Sequence, residues 1–252
     1  MGSGWSGHEY TLVGRRWMHA AVRGPASARE VVCVPGLGVS HRYYLRLGRA
    51  LDPGARTVAV DLPGFGRSAG PARALDVRGL SRSLASWLRS TGRSGAPLVA
   101  NSAGCQVVVD LAAHAPELLG PVVLIGPTMD RAARHPLRQV ARLLADTAYE
   151  RPDVWLLIAR DYLQCGLRRP AATFAHLLAD PVERKLGDVP VEAVVVRGRH
   201  DPIAPRAWTA ALAAGLPHGC HVEIPAAGHV THHRRPEAVA AVIGELLRTR
   251  AG

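Results

Sequence analysis

The chain contains a single lysine, Lys185, although basic residues number 31 in its 252 positions. The remaining cations are arginines scattered along the sequence, beside abundant alanine and glycine. The net charge of +11 therefore reads as the compositional bias of GC-rich coding, and no nucleic-acid partner is expected. At most the charge weakly favours anionic substrates. No apolar run approaches the length of a membrane span. The Gly/Ser-rich start, Met1 to Tyr10, lacks the basic-then-apolar pattern of a secretion signal and reads as a loose tail. A cytoplasmic enzyme is the expectation. Cys33, Cys105, Cys165 and Cys220 lack the paired short spacing of a zinc or redox site, so buried thiols are expected.

What is present is a rhythm. Residues 9–22 read as a hairpin turning at Gly14-Arg15-Arg16. Glu30–Val34, Thr57–Val60, Pro97–Ala100 and Pro121–Ile125 are short continuous apolar runs, the pattern of strands buried on both faces. Helical spacing separates them, over about His41–Leu51, Leu75–Ser90 and Gln106–Ala115. Alternation of this kind predicts an α/β protein with a mostly parallel central sheet and helices on both faces. From 127 to 187 the rhythm breaks into three helices, Leu137–Ala148, Val154–Cys165 and Ala171–Leu178, with no convincing strand. These form an expected helical cap inserted into a core of residues 1–126 and 188–252. Strands resume at 191–198 and 221–225, and Glu237–Arg248 closes the chain as a helix.

Chemistry collects where strands end. Ser102 lies at an abrupt strand-to-helix crossing with small neighbours, Ala100-Asn101-Ser102-Ala103-Gly104. A serine hydroxyl is a weak nucleophile and needs a base, which in turn needs an orienting acid. Asp201 and His229 follow the last two strands, on the same predicted edge. Asp180 and Asp188 come before the expected strand end, and His232 and His233 are neighbours of His229 expected on a solvated loop. Asp61 and Arg67 are expected to structure their own loop.

The order Ser102, Asp201, His229 resembles the α/β-hydrolase superfamily. Asp61-Leu62-Pro63-Gly64-Phe65-Gly66-Arg67-Ser68 resembles the family's D-x-P-G-x-G-x-S loop, and Val34-Pro35-Gly36-Leu37-Gly38 its H-G-x-G loop with proline for histidine. The elbow pattern G-x-S-x-G carries Ala100 in place of its first glycine. The resemblance spans nearly the whole chain. It implies the α/β-hydrolase fold, Ser102 as nucleophile, His229 as base, Asp201 as orienting acid, and an oxyanion hole from the N–H groups of Leu37 and Ala103. It implies no metal and no organic cofactor. His41, Tyr43, Met129, Trp155, Tyr162 and Phe174 are candidate walls of a substrate pocket. The implied reaction is hydrolysis of a carboxylic ester, lactone or thioester with an apolar acyl group, through an acyl-enzyme. Alternatives are C–C bond hydrolysis of the meta-cleavage product type, a cofactor-free perhydrolase, or a ligand-binding member without turnover. The sequence leaves the oligomeric state open.

Overall fold

The computed structural model describes residues 4–248. Eight strands form one sheet in the order β1-β2-β4-β3-β5-β6-β7-β8. They are β1 (Gly7–Val13), β2 (Arg16–Arg23), β3 (Glu30–Val34), β4 (Arg56–Val60), β5 (Leu98–Asn101), β6 (Val122–Ile125), β7 (Ala193–Gly198) and β8 (Gly219–Ile224). β1 pairs antiparallel with β2, and β2 with β4; all other pairs are parallel. The expected hairpin is present, and it reaches back to Gly7, so Gly7–Tyr10 is strand rather than loose tail. Met1–Ser3 of that expected tail lie outside the described residues.

Both sheet faces are buried, which is why β3, β5 and β6 read as unbroken apolar runs. Side chains alternate between two cores. Val32, Val34, Leu98, Ala100, Val122 and Leu124 point to one. Val31, Cys33, Val99, Val123 and Ile125 point to the other. The first core is closed by α2 (Val77–Ser90), α3 (Ala103–Ala112) and α7 (Arg206–Gly215). On α2, Leu80, Leu84 and Leu88 recur at helical spacing, and the Asp76 carboxylate caps its start by accepting from Gly79 N at 2.7 Å. The second core is closed by α1 (Leu45–Leu51) and α9 (Pro236–Arg248), through Leu47, Leu51, Val239 and Ile243. Each such side chain contributes about 1.5–3 kcal/mol when fully buried.

β8 is an edge strand, and this corrects the expectation for cysteine. Cys33 and Cys105 are buried, Cys165 is half-buried and Cys220 is exposed. Between β6 and β7 lie α4 (Pro136–Asp146), α5 (Pro152–Cys165) and α6 (Arg168–Ala179), with short 3-10 turns and no strand. Polar groups tie this segment to the sheet's upper edge. Asp161 accepts from Ser40 N and from Arg42, both at 2.8 Å. Gln106 of α3 donates to the Leu177 carbonyl at 3.1 Å. Among the described residues no helix is long and apolar enough to cross a membrane.

The chain goes from β3 to β4 on one side and then to β5 on the other. A crevice therefore opens above the carboxyl ends of β3 and β5, the place where open α/β sheets bind ligands.

Candidate active site

Ser102 sits between β5 and α3, as the N-cap of α3, with φ 55° and ψ −121°. An L-residue avoids this conformation, which costs of order 1–3 kcal/mol and persists only where the surroundings enforce it. Two constraints enforce it here. Ser102 N donates to the Ile125 carbonyl of β6 at 2.9 Å. Two residues on, α3 presses against the loop after β3, so that a Cβ on Gly104 would lie 2.5 Å from the Val34 oxygen and 2.6 Å from that of Pro35. Glycine is thus obligatory at 104. At 100 the methyl of alanine packs in the first core, which accommodates the departure from the family pattern. Ala103 is the first residue of α3, so its N–H belongs to the group a helix leaves without an internal acceptor.

Asp201 and His229 meet at the neighbouring strand ends. His229 Nδ1 lies 2.9 Å from Asp201 Oδ2. The other oxygen, Oδ1, accepts from Ile203 N at 2.8 Å and Ala204 N at 2.9 Å, which fixes the carboxylate plane. Gly126 underlies the pair at φ 55°, where a Cβ would stand 2.9 Å from His229 Nδ1 and 3.0 Å from Asp201 Oδ2. Burial disfavours the His229 imidazolium, but the Asp201 charge and hydrogen bond outweigh it, with Asp146 and Glu150 adding, and carry its pKa up to about 9.

A cavity of about 270 Å³ joins these groups. Ser102, Ala103, Leu37 and His229 line it at the sheet, and Met129, Trp155, Tyr162 and Phe174 line it from the inserted segment. Tyr43 also lines it. Tyr162 donates its hydroxyl to the Leu37 carbonyl at 3.2 Å and so fixes the orientation of that loop. Burial pushes the Tyr162 phenol up to about 12, keeping it a neutral donor. Sequence reasoning did not reach Asn101, Thr128 or Gln139, which add polar atoms to the lining. Asn101 could have been noticed as the polar residue before the serine; it donates to the Ile125 carbonyl at 3.1 Å.

His41 is elsewhere. It is buried against Asp61, with Nδ1 2.9 Å from Asp61 Oδ2, and is not a wall of the cavity. His19 contacts the same carboxylate at 2.7 Å, and the N–H groups of His41 and Arg67 add bonds of 2.6 and 2.9 Å. Burial would raise the Asp61 carboxyl, but the hydrogen bonds from His19 and His41 hold it well below the usual range. His19, His41 and Asp61 bring three donor atoms within 4.8 Å of one another. Their direct contacts at 2.7–2.9 Å make the group a satisfied hydrogen-bond network that structures the loop, as expected for Asp61. His232 and His233, expected on a solvated loop, are buried. The His232 ring stacks on Tyr44 with centroids 4.6 Å apart, and burial drives its pKa well down, leaving a neutral packing residue.

Comparison with known proteins places the chain in context. Residues 31–242 match the Alpha/beta hydrolase family. A 2-hydroxy-6-oxo-6-phenylhexa-2,4-dienoate hydrolase of Burkholderia cepacia is 27% identical over 224 residues, covering 77% of this chain and 78% of that protein. A 2-hydroxy-6-oxononadienedioate/2-hydroxy-6-oxononatrienedioate hydrolase of Comamonas testosteroni is 26% identical over the same shares. Among solved structures, the enol-lactonase of Burkholderia xenovorans LB400 superposes with a TM-score of 0.81 at 21% identity, covering 95% of this chain and all of that one.

Proposed function

Because the chain belongs to the alpha/beta hydrolase family, we propose that it is a serine hydrolase that cleaves a carboxylic ester, lactone or thioester through an acyl-enzyme. One observation carries this reading: the strained Ser102 and the Asp201-bound His229 line a single, largely apolar cavity. In the proposed reaction the Ser102 Oγ attacks the substrate carbonyl while His229 Nε2 takes its proton. Asp201 holds the Nδ1–H tautomer and stabilises the imidazolium. The N–H groups of Leu37 and Ala103 receive the oxyanion, each contributing about 3 kcal/mol in the transition state. His229 returns the proton to the leaving group, and water then attacks the acyl-enzyme by the same path. Helices α4–α6 act as the cap that shapes the acyl site.

The cavity supports a neutral acyl group of moderate size. An engineered cavity of about 150 Å³ holds one benzene, and this one is nearly twice that. The two curated relatives are named for substrates that are carboxylates, so C–C bond hydrolysis is the second reading. Arginine is the side chain over-represented where a carboxylate is recognised through two parallel hydrogen bonds. Among the described residues lining the cavity none is arginine or lysine, which favours an uncharged ester or lactone.

The test is a panel of aliphatic and aryl esters, lactones, acyl thioesters and vinylogous diketones, run with Ser102→Ala and a fluorophosphonate probe. Hydrolysis of short p-nitrophenyl esters, lost in Ser102→Ala, with the probe adduct mapped to Ser102, is the expected result. Turnover unchanged in Ser102→Ala removes the nucleophile assignment. Preference for the diketones turns the assignment to C–C cleavage, and a wild-type protein without labelling or turnover turns it to a binding role.

A further inference from the structure

Two buried acids reach the His229 loop from the segment laid over the sheet. Asp146 is the last residue of α4 and is 1% exposed; Glu150, in the turn after it, is 7% exposed. Neither lines the substrate cavity. Asp146 Oδ1 accepts the backbone N–H of His229 at 3.0 Å, and Glu150 Oε1 accepts that of Val230 at 2.7 Å. Both oxygens crowd Gly228, where a Cβ would stand 2.6 Å from Glu150 Oε1 and 2.9 Å from Asp146 Oδ1. The second Glu150 oxygen is buried without a hydrogen-bond partner. Burying a carboxyl this way is costly unless something nearby repays it. No arginine or lysine pairs with either acid among the described contacts. The cationic form of His229 offsets part of that cost.

We propose that Asp146 and Glu150 are positioning residues for His229. They anchor its backbone from the inserted segment, and together with Asp201 they supply the negative charge that stabilises the imidazolium formed when Ser102 is deprotonated. The inference rests on the serine-hydrolase reading for its catalytic meaning, though not for its electrostatics. Three acids on one imidazole, rather than one, make the base stronger and tie its location to the seating of α4.

Both carboxyls are raised, so their negative charge, and with it their pull on His229, is complete only above about pH 7. Burial raises the Asp146 carboxyl to about 6, with His229 opposing and Asp201 adding to the rise. Burial and then the Asp146 charge raise Glu150 to about 7. Tyr43 packs against the group from the turn before α1, and burial followed by the Glu150 and Asp146 charges holds it well above the ordinary phenol range, so it stays neutral. His200 and Arg234 face Glu150 across a small cleft, with the Tyr149 ring stacked on His200 at 5.3 Å between centroids.

The experiment uses the full-length protein and two readouts. Nuclear magnetic resonance titration follows the His229 imidazole, identified by the loss of its signal in His229→Gln, and needs no substrate. The pH profile of kcat/KM for p-nitrophenyl esters supplies the second. D146N and E150Q keep an oxygen for the backbone N–H groups and remove only charge. The His229 midpoint should fall in both, by about half a pH unit or more in the double variant, and the acid limb of kcat/KM should move down with it. D146A and E150A also lose the anchor, so kcat should fall about tenfold further with KM unchanged, since neither side chain touches the cavity. An unmoved His229 midpoint in D146N/E150Q overturns the proposal. If that double variant fails to fold, an unmoved midpoint in either single variant overturns it equally. A midpoint that moves in a protein without serine-dependent turnover leaves the charge coupling standing and removes the hydrolase reading instead.

Discussion

In β6 every residue is buried, whereas in α5, barely thirty positions later, Leu156 and Leu163 are 75% and 79% exposed. The same residue type thus serves two regimes. In the sheet, apolar residues alternate between two closed cores, and the structure is held by area removed from water. In the segment between β6 and β7, apolar side chains divide among the cavity, solvent and the two cores, which take Val154, Val182 and Leu186, and polar links add to the attachment. Asp161 to Ser40, Gln106 to Leu177, Lys185 to Asp110 at 2.8 Å and Arg169 to the Pro71 carbonyl at 2.7 Å are examples. Net hydrogen bonds contribute about 1 kcal/mol each, and exposed ion pairs less. The sheet, with both faces closed, is therefore the more stable platform, and the segment over it is expected to open at lower free energy.

The largest expected effect belongs to the platform's chemistry. Asp201→Asn keeps the acceptor for Ile203 and Ala204 N–H but turns an amide N–H₂ toward His229 Nδ1. That reverses the imidazole tautomer, and Nε2 can no longer accept the serine proton. We expect kcat to fall by about 10³–10⁴ with an unchanged unfolding midpoint. A loss under tenfold would mean that Asp201 is not the orienting acid.

The next effect separates the two regimes in stability. Leu124→Ala opens a cavity in a core where the side chain is 1% exposed and should cost about 3 kcal/mol in urea unfolding. Leu163→Ala removes a side chain that is 79% exposed and should change stability by less than about 0.5 kcal/mol. Equal losses would show that α5 is buried in solution by something the chain alone does not supply.

Those two leucines also mark what the sequence could tell. β3, β5 and β6 were legible because a doubly buried strand reads as an apolar run, and its ends are punctuated, as by Pro35-Gly36 after β3. Ser102, Asp201 and His229 were legible because each follows such an end. The helices of the inserted segment were found to within a few residues. Which face of each looks into the cavity was not, because helical spacing marks an apolar stripe without saying what covers it. Trp155, Tyr162 and Phe174 do reach the cavity, while His41 was misplaced. The partner of His41, Asp61, is 20 positions away, and only the packing of β2 beside β4 brings His19 to the same carboxylate. Asp146 and Glu150 gave no signal, since their partners are main-chain N–H groups about 80 residues on.

A smaller effect sharpens the division of labour within the cavity. Phe174 lines it from α6 and is only partly buried, packed against Ala103, Met129 and Leu177. Phe174→Ala should raise KM for esters of aromatic acids about tenfold while leaving kcat for acetate esters within about twofold, if the cavity wall it forms receives the acyl group and not the reacting atoms. A uniform loss across all esters would place Phe174 in holding the elbow rather than the substrate.

The smallest expected effect probes the place where the two regions meet. Ala226, between β8 and His229, has φ 53°, a conformation that costs an L-residue about 1 kcal/mol. Ala226→Gly relieves that strain but adds unfolded-state entropy of similar size, so stability should shift by no more than about 0.5 kcal/mol. The informative quantity is kcat. If the loop's own backbone fixes His229, the freer glycine should lower kcat several-fold. If the hydrogen bonds from Asp146 and Glu150 fix it, kcat should stay within about twofold of the parent, and the drop should appear only when Ala226→Gly is combined with D146A. We expect the second result, because two carboxylates at 3.0 and 2.7 Å constrain the loop directly at His229 and Val230, whereas Ala226 lies three residues before the imidazole. A several-fold loss in Ala226→Gly alone would return the placement of His229 to the sheet and leave the overlying segment to shape the substrate site.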